Sequence, residues 1–367
     1  MSGSTPSPLG ALLMRVDQLW LRLETRLAVW VLVTEVVTLS VWVSLKGLAA
    51  DYARGGNLVG LIFRVVAGAI IGGLICYWPL RKRGPMLSRL AAFAGIGFGA
   101  VLGRLLVGAG TDWASNAVGW LQNASALMLI GGPRGFVTRL TLWVALLGGS
   151  IAAAKGKHIN IDVATRYLPE KLVIPIAVMG WCLAALVCFA ASFGFTDSIA
   201  VTKYRAEAFR SCENGEGLCD TGFGERLGSV GKGMSTDFFL LRKQLGLDLH
   251  TFPKVLAGTR YDTYLKAAEW NQMIEEGGWE AHFPADAVRG LKLSTDDPNA
   301  SKMPAVVAPD TGEGRDLLIR DLNFILPFGL LVIGLKFLLR TLLVLLGVIK
   351  VEGGHGVSEG DVREAQA

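Results

Sequence analysis

Apolar residues along this chain gather in long blocks rather than in stripes. The blocks run from Leu27 to Leu45, Leu58 to Leu80, Leu90 to Gly108, Leu140 to Ala154, Leu172 to Phe195 and Leu322 to Ile349. Most approach the roughly 20 residues that carry a helix across a hydrocarbon core of about 30 Å. A helix at the surface of a soluble domain keeps its apolar residues on one face, with a period of 3.6, whereas these blocks are apolar all round. The pattern predicts an all-α integral membrane protein of about six transmembrane helices. The first block starts at Leu27 and exceeds the usual signal-peptide core of about 7 to 15 residues, so it reads as a span.

Between and around the blocks the pattern changes. Residues 1–26 read as a cytoplasmic or interfacial amphipathic segment, with Leu19, Trp20 and Leu23 set against Arg22 and Arg26. Residues 27–197 hold five spans and, near 113–131, an interfacial helix carrying Trp113 and Trp120, since Trp favours the headgroup region. Residues 198–320 form a polar, mostly helical insertion, 321–349 the last span and 350–367 a disordered cytoplasmic tail. Inside the insertion, Ser235, Thr236 and Asp237 are expected to cap a helix from Phe238 to Leu245 that stops at Gly246. A second helix is expected over Tyr261–Glu276, and a loop or tether over Ser294–Gly314.

Charge then sets orientation. Arg81, Lys82, Arg83 and Arg89 join blocks two and three, and Lys155, Lys157, Arg166 and Lys171 join blocks four and five. Short loops rich in Lys and Arg stay in the cytoplasm, so both termini are expected there and the insertion is expected in the periplasm. The net charge of +5 is not a nucleic-acid signature, because the insertion from Ser198 to Arg320 holds 15 basic and 18 acidic residues. The positive excess flanks the blocks instead.

The candidate chemistry is sparse. Cys76, Cys182 and Cys188 fall in apolar blocks as packing residues. Cys212 and Cys219 fall in the insertion, where a disulfide suits an oxidising periplasm better than a metal pair that has no second pair of ligands. His158 and Asp162 stand four apart in the link after block four; a hydrogen-bonded turn is favoured over a metal site, and no metal or other cofactor is expected. Glu35, Arg64, Arg104, Lys336 and Arg340 interrupt apolar blocks at about 2.5–3.5 kcal/mol each, so each needs a partner. A Glu35–Arg64 ion pair is favoured over a Glu35 that binds a transported proton or ion, and all five, Lys336 above all, are candidate contacts with another subunit or with lipid. Gly68 and Gly72, and Gly95, Gly99 and Gly103, form ridges that let helices approach closely.

One run of residues resembles a known family. Trp143, Gly148, His158 and Asp162, with Lys155, Lys157 and Pro169 among them, are spaced like the second span and following turn of the small membrane subunit, DctQ type, of tripartite ATP-independent periplasmic (TRAP) transporters. Pro327, Gly329, Lys336 and Arg340 resemble that family's last helix. The usual form has four helices in about half this length, so blocks two and three and the insertion are additions, and the acidic pair that commonly precedes the Trp is replaced by residues 135–139. The resemblance implies a non-enzymatic scaffold in the bacterial inner membrane. It implies three partners: a large elevator-type permease subunit, a periplasmic substrate-binding protein and membrane lipids. The task it implies is sodium-coupled uptake of an organic acid. The rival readings are a membrane-anchored periplasmic enzyme and an independent small carrier.

Overall fold

The computed structural model describes residues 8–49, 58–82, 84–105, 107–155, 169–211, 218–263, 265–297 and 299–349. The helices are α1 (Pro8–Ala49), α2 (Leu58–Leu80), α3 (Pro85–Leu105), α4 (Val107–Asn123), α5 (Gly132–Lys155), α6 (Glu170–Lys203), α7 (Phe223–Leu256), α8 (Ala267–Glu275), α9 (Ala285–Arg289), α10 (Ile319–Leu322) and α11 (Ile325–Leu345). Six helices are long and apolar enough to cross a membrane, and they fall on the six apolar blocks. Strand is confined to two short antiparallel ladders among the described residues, β1 (Phe209–Ser211) with β2 (Leu218–Asp220) and β3 (Leu265–Lys266) with β4 (Ser301–Lys302). This is an all-α membrane protein.

The chain divides into two compact units whose boundaries fall inside α1, between Glu35 and Val36, inside α5, between Val137 and Thr138, inside α7, between Met234 and Ser235, and inside α10, between Ile319 and Arg320. The first unit is built on the first part of α1, on α5, α6 and α11. Hydrogen bonds from Ser150 to Glu24 and from Thr141 to Glu35 run α1 antiparallel to α5. Ser192 Oγ donates to the Pro327 carbonyl at one end of the α6–α11 pair, while Trp181 and Phe337 share a buried cluster at the other. These contacts make an antiparallel four-helix bundle. Gly329 faces Leu146 and Gly334 faces Phe189, each too closely for a Cβ, so small residues set the spacing of α11.

The second unit holds α2, α3, α4 and most of the insertion. Gly68 and Gly72 of α2 lie directly against the backbone of Gly99 and Gly95 in α3, and Gly103 lies against Arg64. The two helices meet backbone to backbone, which dispersion alone can hold in lipid. In the same unit α4 and α7 run antiparallel: the Trp113 indole donates to the Leu256 carbonyl at 2.9 Å and the Trp120 indole to Thr251 Oγ1 at 3.2 Å. The segment expected at the membrane surface therefore buries Trp120 against α7.

Three expectations for the insertion change. Helix α7 runs straight through Ser235, Thr236, Asp237 and Gly246, because a continuous inner face of Asp237, Leu240, Gln244, Leu247, Thr251 and Val255 is buried in the unit. Tertiary burial overrides the local cap preference. The expected helix over Tyr261–Glu276 is a short 3-10 turn, the strand β3 paired to the distant β4, and then α8. The expected tether is irregular but packed: Pro304, Ala305, Val306 and Ala308 are buried around Gln244. The Gln244 amide donates to the carbonyls of Ala124 and Pro304 and accepts from the Val306 N–H, so one side chain satisfies the backbone of two segments without regular structure. Gly131 and Gly132, both at positive φ, turn the chain from the 3-10 segment Ala126–Ile130 into α5.

Candidate functional site

Helices α1 and α11 carry the charges that a membrane bundle must neutralise. Asp17, Trp20 and Glu24 recur on one face of α1 at three- and four-residue spacing. Lys336, near the middle of α11, has only 2% of its side chain exposed and meets that face. Its ammonium lies 3.4 Å from Asp17 Oδ1 and 3.5 Å from Glu24 Oε2, and 5.2 Å from the centre of the Trp20 ring. Glu24 Oε1 in turn accepts from the Trp20 indole and from Ser150 Oγ, both at 2.7 Å. One cation thus joins α1 and α11, and the carboxylate it meets joins both to α5. Removing either partner would strand a charge where water cannot reach it.

One turn further along α11, Arg340 donates to the carbonyls of Ala153 and Ala154 at 3.4 and 2.9 Å, and its guanidinium stacks 5.0 Å from the Trp181 ring centre. Those carbonyls belong to the last turn of α5, where helical carbonyls lack intrahelical partners and the dipole favours a cation. Arg340 therefore ties α11 to α5 and α6. Between them the two cations reach all four helices of the bundle.

The other singled-out residues fall as follows. Glu35 accepts from Thr141 Oγ1 at 2.6 Å, and Arg64 donates to the Leu48 carbonyl and Thr111 Oγ1 at 3.2 Å each. Arg104 is exposed on α3. Lys336 and Arg340, considered as subunit or lipid contacts, are buried with partners in their own chain. Trp143 lines an apolar cleft in the first unit, and Gly148 has open space around it. His158 and Asp162 lie outside the described residues, as does Cys212. Cys219, opposite Arg210 in the β1–β2 ladder, is disulfide-bonded. Asp17, Glu24, Ser150 and Trp181 escaped the sequence reading, and Trp20 entered it only as part of an interfacial face. The signal was present in two acids spaced by seven residues within a segment otherwise rich in arginine.

The cleft, of about 620 Å³, is walled by Leu27, Trp143, Leu146, Met234, Phe324 and Phe328 among others. The hydroxyls in its wall are engaged: Ser150 with Glu24, Ser192 with Pro327 and Thr196 with the Ser192 carbonyl. Asp321 accepts from the Tyr204 hydroxyl. Such a wall suits hydrocarbon and offers nothing to an organic anion. Among the described residues no group of three or more His, Cys, Asp or Glu is placed to hold a metal ion.

Outside the spans, Arg226 of α7 bonds Asp197 Oδ1 at 2.7 Å and Asp220 Oδ1 at 2.8 Å, clamping the start of α7 to the end of α6 and to the β1–β2 ladder. The Asp220 hydrogen bond, more than any other contact, holds its guanidinium above the ordinary value. Asp248 accepts from the Ala126 N–H at 2.7 Å, and burial pushes its carboxyl up against the opposing effect of its hydrogen bonds from Gln244 and Ala126.

Six apolar spans, and a bundle joined by buried cations, define a multi-pass membrane protein. Residues 131–209, which cover α5 and α6, match the family of tripartite ATP-independent periplasmic transporters, DctQ component. Over that segment of a 367-residue chain, the resemblance to the TRAP small membrane subunit stands. No curated protein and no solved structure matches the chain.

Proposed function

We propose that this chain is the small scaffold subunit of a TRAP-type importer, bracing a large elevator-type permease subunit and helping to dock a periplasmic substrate-binding protein for sodium-coupled uptake of an organic acid. The observation that carries the reading is where the family match falls. It covers α5 and α6, the two helices that Lys336 and Arg340 lock, through Glu24, Ser150, Ala154 and Trp181, to α1 and α11. A bundle so fastened resists sliding, which is what a stator needs and a moving carrier does not. The spans α2 and α3 and most of the insertion, which fall in the second unit, extend the scaffold. In this reading the loops of residues 81–89 and 155–171 and both termini are cytoplasmic, and the insertion with its Cys212–Cys219 disulfide is periplasmic.

Affinity purification of the tagged chain from its native membrane in mild detergent, with mass spectrometry of what accompanies it, tests the reading. Recovery of a large multi-span permease is expected. A folded chain recovered alone, or one that transports by itself in proteoliposomes, would overturn it. The docking role is tested separately: deletion of residues 211–310 is expected to abolish capture of the binding protein while leaving the permease bound.

A further inference from the structure

Helix α7 is apolar on two faces. The inner face forms the core of the second unit, but Phe238, Leu245, Leu249 and Leu256 are exposed on the outer face, Leu249 by 81%, and Phe252, whose ring touches Trp120 of α4 at 5.4 Å between centres, leaves its other side open there. With exposed Arg242 they follow the spacing four, three, four, three, four, the seam of a two-helix coil. We propose that this seam is the contact between two copies of the chain, paired antiparallel about a two-fold axis along the membrane normal.

Three observations select a second copy as the occupant. The seam is complementary to itself when reversed about Leu247: Phe238 meets Leu256, Leu245 meets Leu249, and Arg242, its one charge, meets the face of Phe252. A parallel pairing would instead set Arg242 against Arg242, so the cation–π contact chooses the antiparallel direction. The second observation is direction. Helix α4 starts two residues after α3 ends and is followed, through the 3-10 segment, by the start of α5. Because α3 and α5 are spans, α4 leaves the membrane and returns to it within that length, and so lies along its surface. Residues 244–256 of α7 run antiparallel to α4. The seam lies about a third of a turn round α7 from the face packed on α4. Two copies sharing one bilayer can close only about an axis normal to it, and that operation turns flat-lying helices antiparallel. The third observation is area. Ten large apolar side chains from two copies would bury on the order of 1,000 Å², the threshold for a specific interface.

The test uses the full chain in lipid nanodiscs, with a photo-crosslinking amino acid at Leu249 and single-particle mass measurement. The expected result is a dimer whose crosslink maps to Leu245 and its neighbours in the other copy. Leu249→Glu should reduce the dimer fraction at least tenfold while the Cys219 disulfide and the helical circular dichroism are kept, and Arg242→Glu, which loses the cation over Phe252, should weaken it less. A chain that is monomeric with Leu249 crosslinked to lipid, or a crosslink from Leu249 to a permease subunit, would overturn the proposal, as would a dimer indifferent to Leu249→Glu.

Discussion

Lys336 illustrates how much a single buried charge can organise. It sits among apolar residues of α11, and its position is tolerable because α1 brings Asp17 and Glu24 to it. Replacing it by Leu leaves Glu24 stranded, at a cost of about 3–5 kcal/mol, whereas the double change with Glu24→Gln removes both charges and should recover much of that. Thermal unfolding in detergent of the two variants checks this. A Lys336→Leu protein as stable as the parent would mean that the ion pair does not fasten the bundle. Sequence alone gave Lys336 a need for a partner and pointed to another subunit or to lipid, because Asp17 and Glu24 lie over three hundred residues away and look like ordinary acids in a polar leader. At Cys219 the residue type was informative. Its disulfide predicts that the unfolded, unreduced chain takes up three thiol labels, at Cys76, Cys182 and Cys188, and five after reduction; four or five before reduction would exclude the Cys212–Cys219 bond.

Elements differ in how far their neighbours shape them. The α2–α3 pair was legible as two glycine ridges, and the structure puts one on the other. Gly99→Leu would force a side chain into the Gly68 carbonyl, so the pair must separate; loss of protease protection in residues 81–89, in a membrane preparation opened on that side, would report it. Helix α7 was legible only in part, since its caps and its glycine pointed to a shorter helix while burial of Asp237, Gln244 and Thr251 carries it through. Asp248, on the same helix, gives a pH dependence with a definite sign. Its folded carboxyl binds its proton more tightly than the ordinary value of 3.8, so the folded state holds more protons than the unfolded one from that pH up to the raised value. Its contribution to stability is present below about pH 3.8 and is lost as pH rises through that window. Asp248→Asn should flatten this part of the pH profile of hydrogen exchange at residues 240–256; an unchanged slope would assign the effect to another group.

At the scale of the whole molecule, the spans are what the sequence by itself determined. Residues apolar on every side have nowhere to go but lipid, so six blocks are enough to define six helices without knowing what any of them touches. The resemblance of Trp143, Gly148, His158 and Asp162 to the DctQ type was likewise carried by local spacing, and the family match over residues 131–209 agrees with it. The grouping of those helices could not be read in the same way. Which four form the locked bundle, that α2 and α3 belong with the insertion, and that Gln244 holds the irregular stretch around Val306 were decided by tertiary structure. The physical reason is one of range: transfer into lipid is a property of a segment, summed over neighbouring residues, whereas a buried ion pair or a shared amide is settled by whichever distant groups the fold brings within about 3 Å.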